Sequence, residues 1–224
     1  MTKLLATENI ESFKYNKEPV KFCLGTLIVI VFCICLIIIA TFTQISIKDI
    51  FSYTAGPTTG LLLTDFLNNC SVYNYIPQLP AIFFTIGLLD RRFGMSAIIL
   101  YILIGLIGLP IFAMGGGFHY IYELGFGFIL AYIPAAFLTA TIIKNDYRIL
   151  NILKAVVAGV LAIHLIGILY MLFVSTLFNT PGDMISGWIK AQSGPTKIVY
   201  DIFFSSIVIY VANLFKRLIW LIMC

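Results

Sequence analysis

The sequence predicts an all-α membrane protein of six transmembrane helices, with both termini on the cytoplasmic side (N-in/C-in). Three observations carry this expectation: a composition too apolar for a water-soluble globule, six apolar segments of spanning length, and loop charge gathered on one side. Of 224 residues, 61% are hydrophobic and 11% charged, and the mean hydropathy is +1.03. A soluble domain is about a quarter charged. This chain has too few polar side chains to coat such a globule, so lipid must solvate much of its surface.

Residues 1–20 mix Lys3, Lys14 and Lys17 with Glu8, Glu11 and Glu18 and read as a cytoplasmic N-terminal segment. Residues 21–224 read as a single six-helix transmembrane domain. The apolar run that opens it is long and lacks a small-residue cleavage site, so it is expected to be a retained helix rather than a secretory signal.

A hydrocarbon core about 30 Å thick needs about 20 helical residues. The first candidate covers 22–47, including the unbroken apolar stretch from Leu24 to Ala40. The second covers 73–89, opened by Tyr73 and Tyr75, with Pro77 and Pro80 marking its start or a kink. The others cover 94–114, 120–143, 150–178 and 198–222. The segment 48–72 is broken by Gly56-Pro57 and charged by Asp49 and Asp65, so it is expected to be interfacial or re-entrant on the outer side.

Eleven of the 14 Lys and Arg fall on one side: Lys3, Lys14, Lys17, Lys21, Arg91, Arg92, Lys144, Arg148, Lys154, Lys216 and Arg217. The other side has Lys48, Lys190 and Lys197. This positive-inside bias puts the basic side in the cytoplasm and agrees with an even span count. The same clustering speaks against nucleic acid, because no basic stripe with interleaved aromatics appears.

No phosphate loop, H-E-x-x-H zinc motif or G-x-S-x-G nucleophile elbow is present. No enzyme, cofactor or metal site is therefore expected. Cys33 and Cys35 lie two apart on a helix and point about 200° from each other, which forbids a shared metal. The five cysteines imply no disulfide framework. Of the two histidines, His119 falls in an outer loop and His164 within the fifth helix. A lone histidine in a bundle is expected to be a satisfied polar group or a cavity-lining residue rather than a ligand.

The ionisable residues near the outer helix ends are more informative, because charge in the bilayer is costly and faces a cavity or a partner. Glu123 opens the fourth helix, and Lys197 and Asp201, four apart, share a face of the sixth. An outer pocket with one cation and two anions suits a small zwitterionic or acid-plus-amide ligand. A plain Lys197–Asp201 salt bridge fits the same spacing equally well. The many Tyr and Phe near helix ends are read first as interfacial belts.

Residues 86–113, IGLLDRRFGMSAIILYILIGLIGLPIFA, resemble the BioY family, the biotin-specific substrate-capture subunits of energy-coupling factor transporters. The resemblance rests on Gly108-Leu109-Pro110-Ile111-Phe112-Ala113 followed by Gly115, Gly116 and Gly117, and more weakly on Pro134 to Phe137 and His164 to Tyr170. It covers roughly residues 73–215. It implies a six-helix subunit of the bacterial plasma membrane that takes biotin from outside. A transmembrane coupling protein and an ATPase pair would then supply the energy, which fits the missing phosphate loop.

The resemblance also implies site residues. Gln78 falls where the family often has a Gln. Gln78 and Asp201 would serve the ureido group, Phe112 and neighbouring aromatics the apolar walls, and Lys197 the carboxylate. Gly116 and Glu123 complete the expected set at the same end. Two departures stand out: Glu123-Leu124-Gly125-Phe126-Gly127-Phe128 replaces the family's G-P-T-G-G-Y, and Lys197 precedes Asp201 where the family has an acid and then a base. A capture subunit for another small vitamin-like molecule and a membrane scaffold or assembly protein remain the alternatives.

Overall fold

The computed structural model describes residues 24–49, 51–52, 69–144 and 146–223. The N-terminal segment 1–20, Cys23, Cys224, the Gly56-Pro57 break and Asp65 lie outside the described residues.

Helix α1 spans Leu24–Phe42. Its buried positions Ile30, Cys33, Ile34, Ile37, Ala40 and Thr41 recur at helical spacing, while Leu27, Ile28, Val31, Phe32 and Ile39 are exposed. An apolar stripe facing protein and an apolar face open outward is what lipid solvation selects. Cys33 is buried and Cys35 exposed, so the two do point apart.

The expected helix to residue 47 stops at Phe42, and Ile45–Lys48 form strand β1. It pairs antiparallel with β2, Val72–Tyr75, in the register Ile45 opposite Tyr75. Tyr73 and Tyr75 therefore belong to a strand rather than opening a helix. Ile-Ser-Ile-Lys and Val-Tyr-Asn-Tyr carry β-branched and aromatic side chains at period two, which a pleated ribbon accommodates better than a helix. The fold is thus helical with one short ribbon, not wholly α.

Helix α2, Gln78–Ile107, is interrupted at Asp90, whose backbone (φ 60°, ψ −179°) is not helical. The chain reverses there. A Cβ on Gly94 would lie 3.3 Å from the Ile86 Cα, and Gln78 hydrogen-bonds Tyr101. Both pairs centre on Asp90, so residues 78–89 and 91–107 form an antiparallel helical hairpin, as the two separately read segments require. The second arm ends at Ile107 rather than 114, because residues 108–117 close a tight loop.

A 3-10 turn, Phe118–Tyr122, leads to the short helix α3, Phe126–Leu130, and then to α4, Tyr132–Ile143. The expected continuous helix from 120 is broken into these three pieces. Helix α5 spans Ile149–Phe178, α6 Gly182–Ser193 and α7 Pro195–Met223. The α2 hairpin lies between α1, α4 and α7, and α5 closes the bundle against α3, α4 and α7. Phe83, Ile98, Tyr101, Tyr132, Ile163 and Ile209 form its fully buried centre. Among the described residues, four helical stretches are long and apolar enough to cross a membrane: Leu24–Phe42, Phe126–Ile143, Ile149–Phe178 and Gly182–Leu218.

Candidate functional site

The strongest polar feature sits where the ribbon meets the start of α7. The i,i+4 spacing turns Lys197 and Asp201 to one face, and Lys197 Nζ donates to Asp201 Oδ2 at 2.8 Å. Tyr75 donates to Asp201 Oδ1 at 2.8 Å. Asp201 is 0% exposed. Burial on that scale is costly for a carboxylate unless it is paired and hydrogen-bonded, and both conditions are met here. Burial and the nearby carboxylate together hold the Tyr75 hydroxyl well above its usual range, so it remains a donor.

The ribbon roofs this pair. Thr196 donates to Asp49 Oδ1 at 2.5 Å, and Tyr200 donates to the Lys48 carbonyl at 2.8 Å. Tyr75 also packs on Phe204, with centroids 5.2 Å apart. From the other side, α5 brings His164 within 3.7 Å of Asp201 Oδ2 through Nε2, while its Nδ1 meets Ser193 Oγ of α6 at 2.9 Å.

A second group lies toward the hairpin. Phe112 is 1% exposed, edge-on to Tyr101 at 5.6 Å and tilted on Tyr120 at 4.7 Å. The glycine-rich block explains how it gets there. Phe112 and Gly115 exchange backbone hydrogen bonds, and Gly117 N–H donates to the Gly105 carbonyl at 2.8 Å. A Cβ on Gly116 would lie 2.0 Å from the Leu109 carbonyl oxygen, so only glycine lets the loop close. The loop thereby folds Phe112 back into the bundle over Gly105. Gln78 donates to the Tyr101 hydroxyl at 3.1 Å, and Tyr132 belongs to the same fully buried centre as Tyr101. On the α5 side, Phe128 stands edge-on to His164 at 6.1 Å, beside the buried acid.

Among the expected residues, Lys197 and Asp201 are paired, and Gln78 and Phe112 share Tyr101 as a neighbour. Gly116 shapes the loop that inserts Phe112. Glu123 is half-buried after the 3-10 turn, and no described hydrogen bond or ion pair ties its carboxylate to Lys197 or Asp201. Sequence reasoning missed Tyr75, Thr196 and the ribbon. The two-residue alternation at 45–48 and 72–75 was the available signal.

The helical bundle with its short ribbon has a counterpart of known structure. The fold matches a crystal structure of the S-component for biotin from an ECF-type ABC transporter with TM-score 0.59 and 18% identity, covering 86% of this chain and 91% of that one. The chain belongs to the BioY family, whose model matches residues 71–220. A curated relative from Lysinibacillus sphaericus, described as a probable biotin transporter BioY, is 30% identical over 118 residues. That match takes in 50% of this chain and 56% of the relative's length.

Proposed function

We propose that this chain captures biotin for uptake across the bacterial plasma membrane, at the bundle end that holds Asp201. Family membership supports the ligand, and the buried, hydrogen-bonded Asp201 carries the location. In this reading the chain crosses the bilayer six times with both termini inside. The reversal at Asp90 supports counting the two arms of α2 separately, and the eleven basic residues on one side support the orientation. Energy comes from a transmembrane coupling subunit and an ATPase pair, since the chain has no phosphate loop of its own.

Asp201 accepts a ureido N–H, and Phe112 with its tyrosine neighbours forms apolar walls for the ring system. Lys197, on a four-carbon stem, leaves Asp201 to meet the ligand carboxylate. Gln78 adds a polar contact beside the wall, and Glu123 and Gly116 border the entrance. Titration of the purified protein with labelled biotin tests this. Asp201→Ala and Lys197→Ala should each weaken binding by about tenfold or more, as expected when a charge-assisted hydrogen bond is lost. Unchanged affinity in both variants would remove the site.

A further inference from the structure

His164 is the odd member of the buried cluster. The ring is 5% exposed, yet its Nε2 is buried without a hydrogen-bond partner. Buried polar atoms are nearly always satisfied, so an orphan beside a binding site calls for a physical account. Asp201 Oδ2, at 3.7 Å, is too far for a hydrogen bond but close enough to act on the ring electrostatically.

Two neighbours fix what that nitrogen presents. A lone pair facing a carboxylate would be repelled, so the proton belongs on Nε2. The Ser193 hydroxyl, 2.9 Å from Nδ1, can then donate to the nitrogen left without a proton. Phe128 stands edge-on to the ring, with centroids 6.1 Å apart, and restricts its rotation. The result is a fixed N–H donor beside a fixed carboxylate acceptor, 3.7 Å apart.

That donor–acceptor pair matches one edge of a cyclic cis-amide. Such an edge offers an N–H and a C=O whose heavy atoms are about 2.3 Å apart by covalent geometry, and their directions diverge toward a wider pair of partners. We propose that Asp201 Oδ2 and His164 Nε2 together read the N–H/C=O edge of the ligand's cyclic urea, with Ser193 as the positioning residue for His164. His164 is then a specificity residue. It donates to the ureido oxygen, while Asp201 accepts the adjacent N–H once Lys197 has turned to the carboxylate. The inference rests on the biotin reading above and adds the recognition of the urea carbonyl.

The test is a binding titration of the purified protein with biotin, desthiobiotin and thiobiotin, in which sulfur replaces the ureido oxygen. Wild type should prefer biotin and desthiobiotin, which keep the oxygen, over thiobiotin. His164→Leu should bind biotin about tenfold more weakly and lose that preference. His164→Gln, which retains an N–H donor, should recover part of both. Histidine nitrogen NMR of the wild type gives a readout that does not depend on a variant folding. The Nε2–H signal should exist before ligand addition, and biotin should move it more than thiobiotin does.

Biotin binding that is equally tight in His164→Leu, with the preference intact, overturns this inference while leaving the biotin site standing. An NMR spectrum showing Nε2 unprotonated, or unmoved by biotin, overturns it as well. No biotin binding by wild type overturns the functional reading itself and this inference with it.

Discussion

At the residue scale, Asp201 organises the chemistry because it is the buried charge on which three elements converge. Tyr75 satisfies one of its oxygens, so Tyr75→Phe should lower stability by about 1–3 kcal/mol, read as thermal unfolding in detergent. The same hydroxyl gives a pH dependence. A folded pKa raised above the unfolded value of about 10 contributes stability that is present below pH ~10 and lost as pH rises beyond it. Tyr147, between α4 and α5, is pushed up to about 12 by burial and then by Asp90, and acts in the same direction. Stability should therefore decline above about pH 10, and less steeply in Tyr75→Phe than in wild type. At the loop, Gly116→Ala drives a methyl into the Leu109 carbonyl and should cost about 1–3 kcal/mol, with Phe112 displaced and biotin binding weakened alongside.

At the scale of elements, the hairpin reversal concentrates strain and charge in one residue. Asp90 occupies backbone space that favours glycine, a cost of about 1–3 kcal/mol. Its carboxylate pairs with Lys216, but the Asp90 side chain is 49% exposed, and such pairs contribute about 0–1 kcal/mol. The larger effect should win: Asp90→Gly leaves the protein as stable as wild type or more so, whereas Asp90→Val destabilises it. Unfolding curves of the two variants check the order. The long helices were legible because lipid solvation writes itself as uninterrupted apolar length, and α5 begins and ends within a residue of its expected bounds. The hairpin arms were legible because Asp90-Arg91-Arg92 interrupts that length. The ribbon was hidden by its own aromatics: Tyr73 and Tyr75 beside Pro77 look like an interfacial belt, and only the pairing with β1, 24 to 30 residues earlier in the observed register, separates the two readings. At the site, Lys197 and Asp201 were visible by spacing alone. His164 was visible as a residue but not as an unsatisfied one, because its neighbours come from distant elements.

At the scale of the whole molecule, orientation is the property that links site to transport. In a background with the native cysteines replaced by serine, Arg148→Cys should react with a membrane-impermeant thiol reagent only from the cytoplasmic side. Lys190→Cys should react only from outside. The opposite pattern would place the Asp201 end on the inner face and leave the capture reading without an entrance.

The Lys197–Asp201 contact sets a buried cation directly against a buried anion. With no guest, cation and anion cancel, so neither stands alone in a medium of low dielectric. A monoanionic vitamin changes that balance, because its carboxylate engages the lysine while the aspartate stays ionised. With biotin bound, the bundle then bears one more negative charge than the protein alone. In the proposed reading, the membrane potential therefore acts differently on the protein with and without biotin.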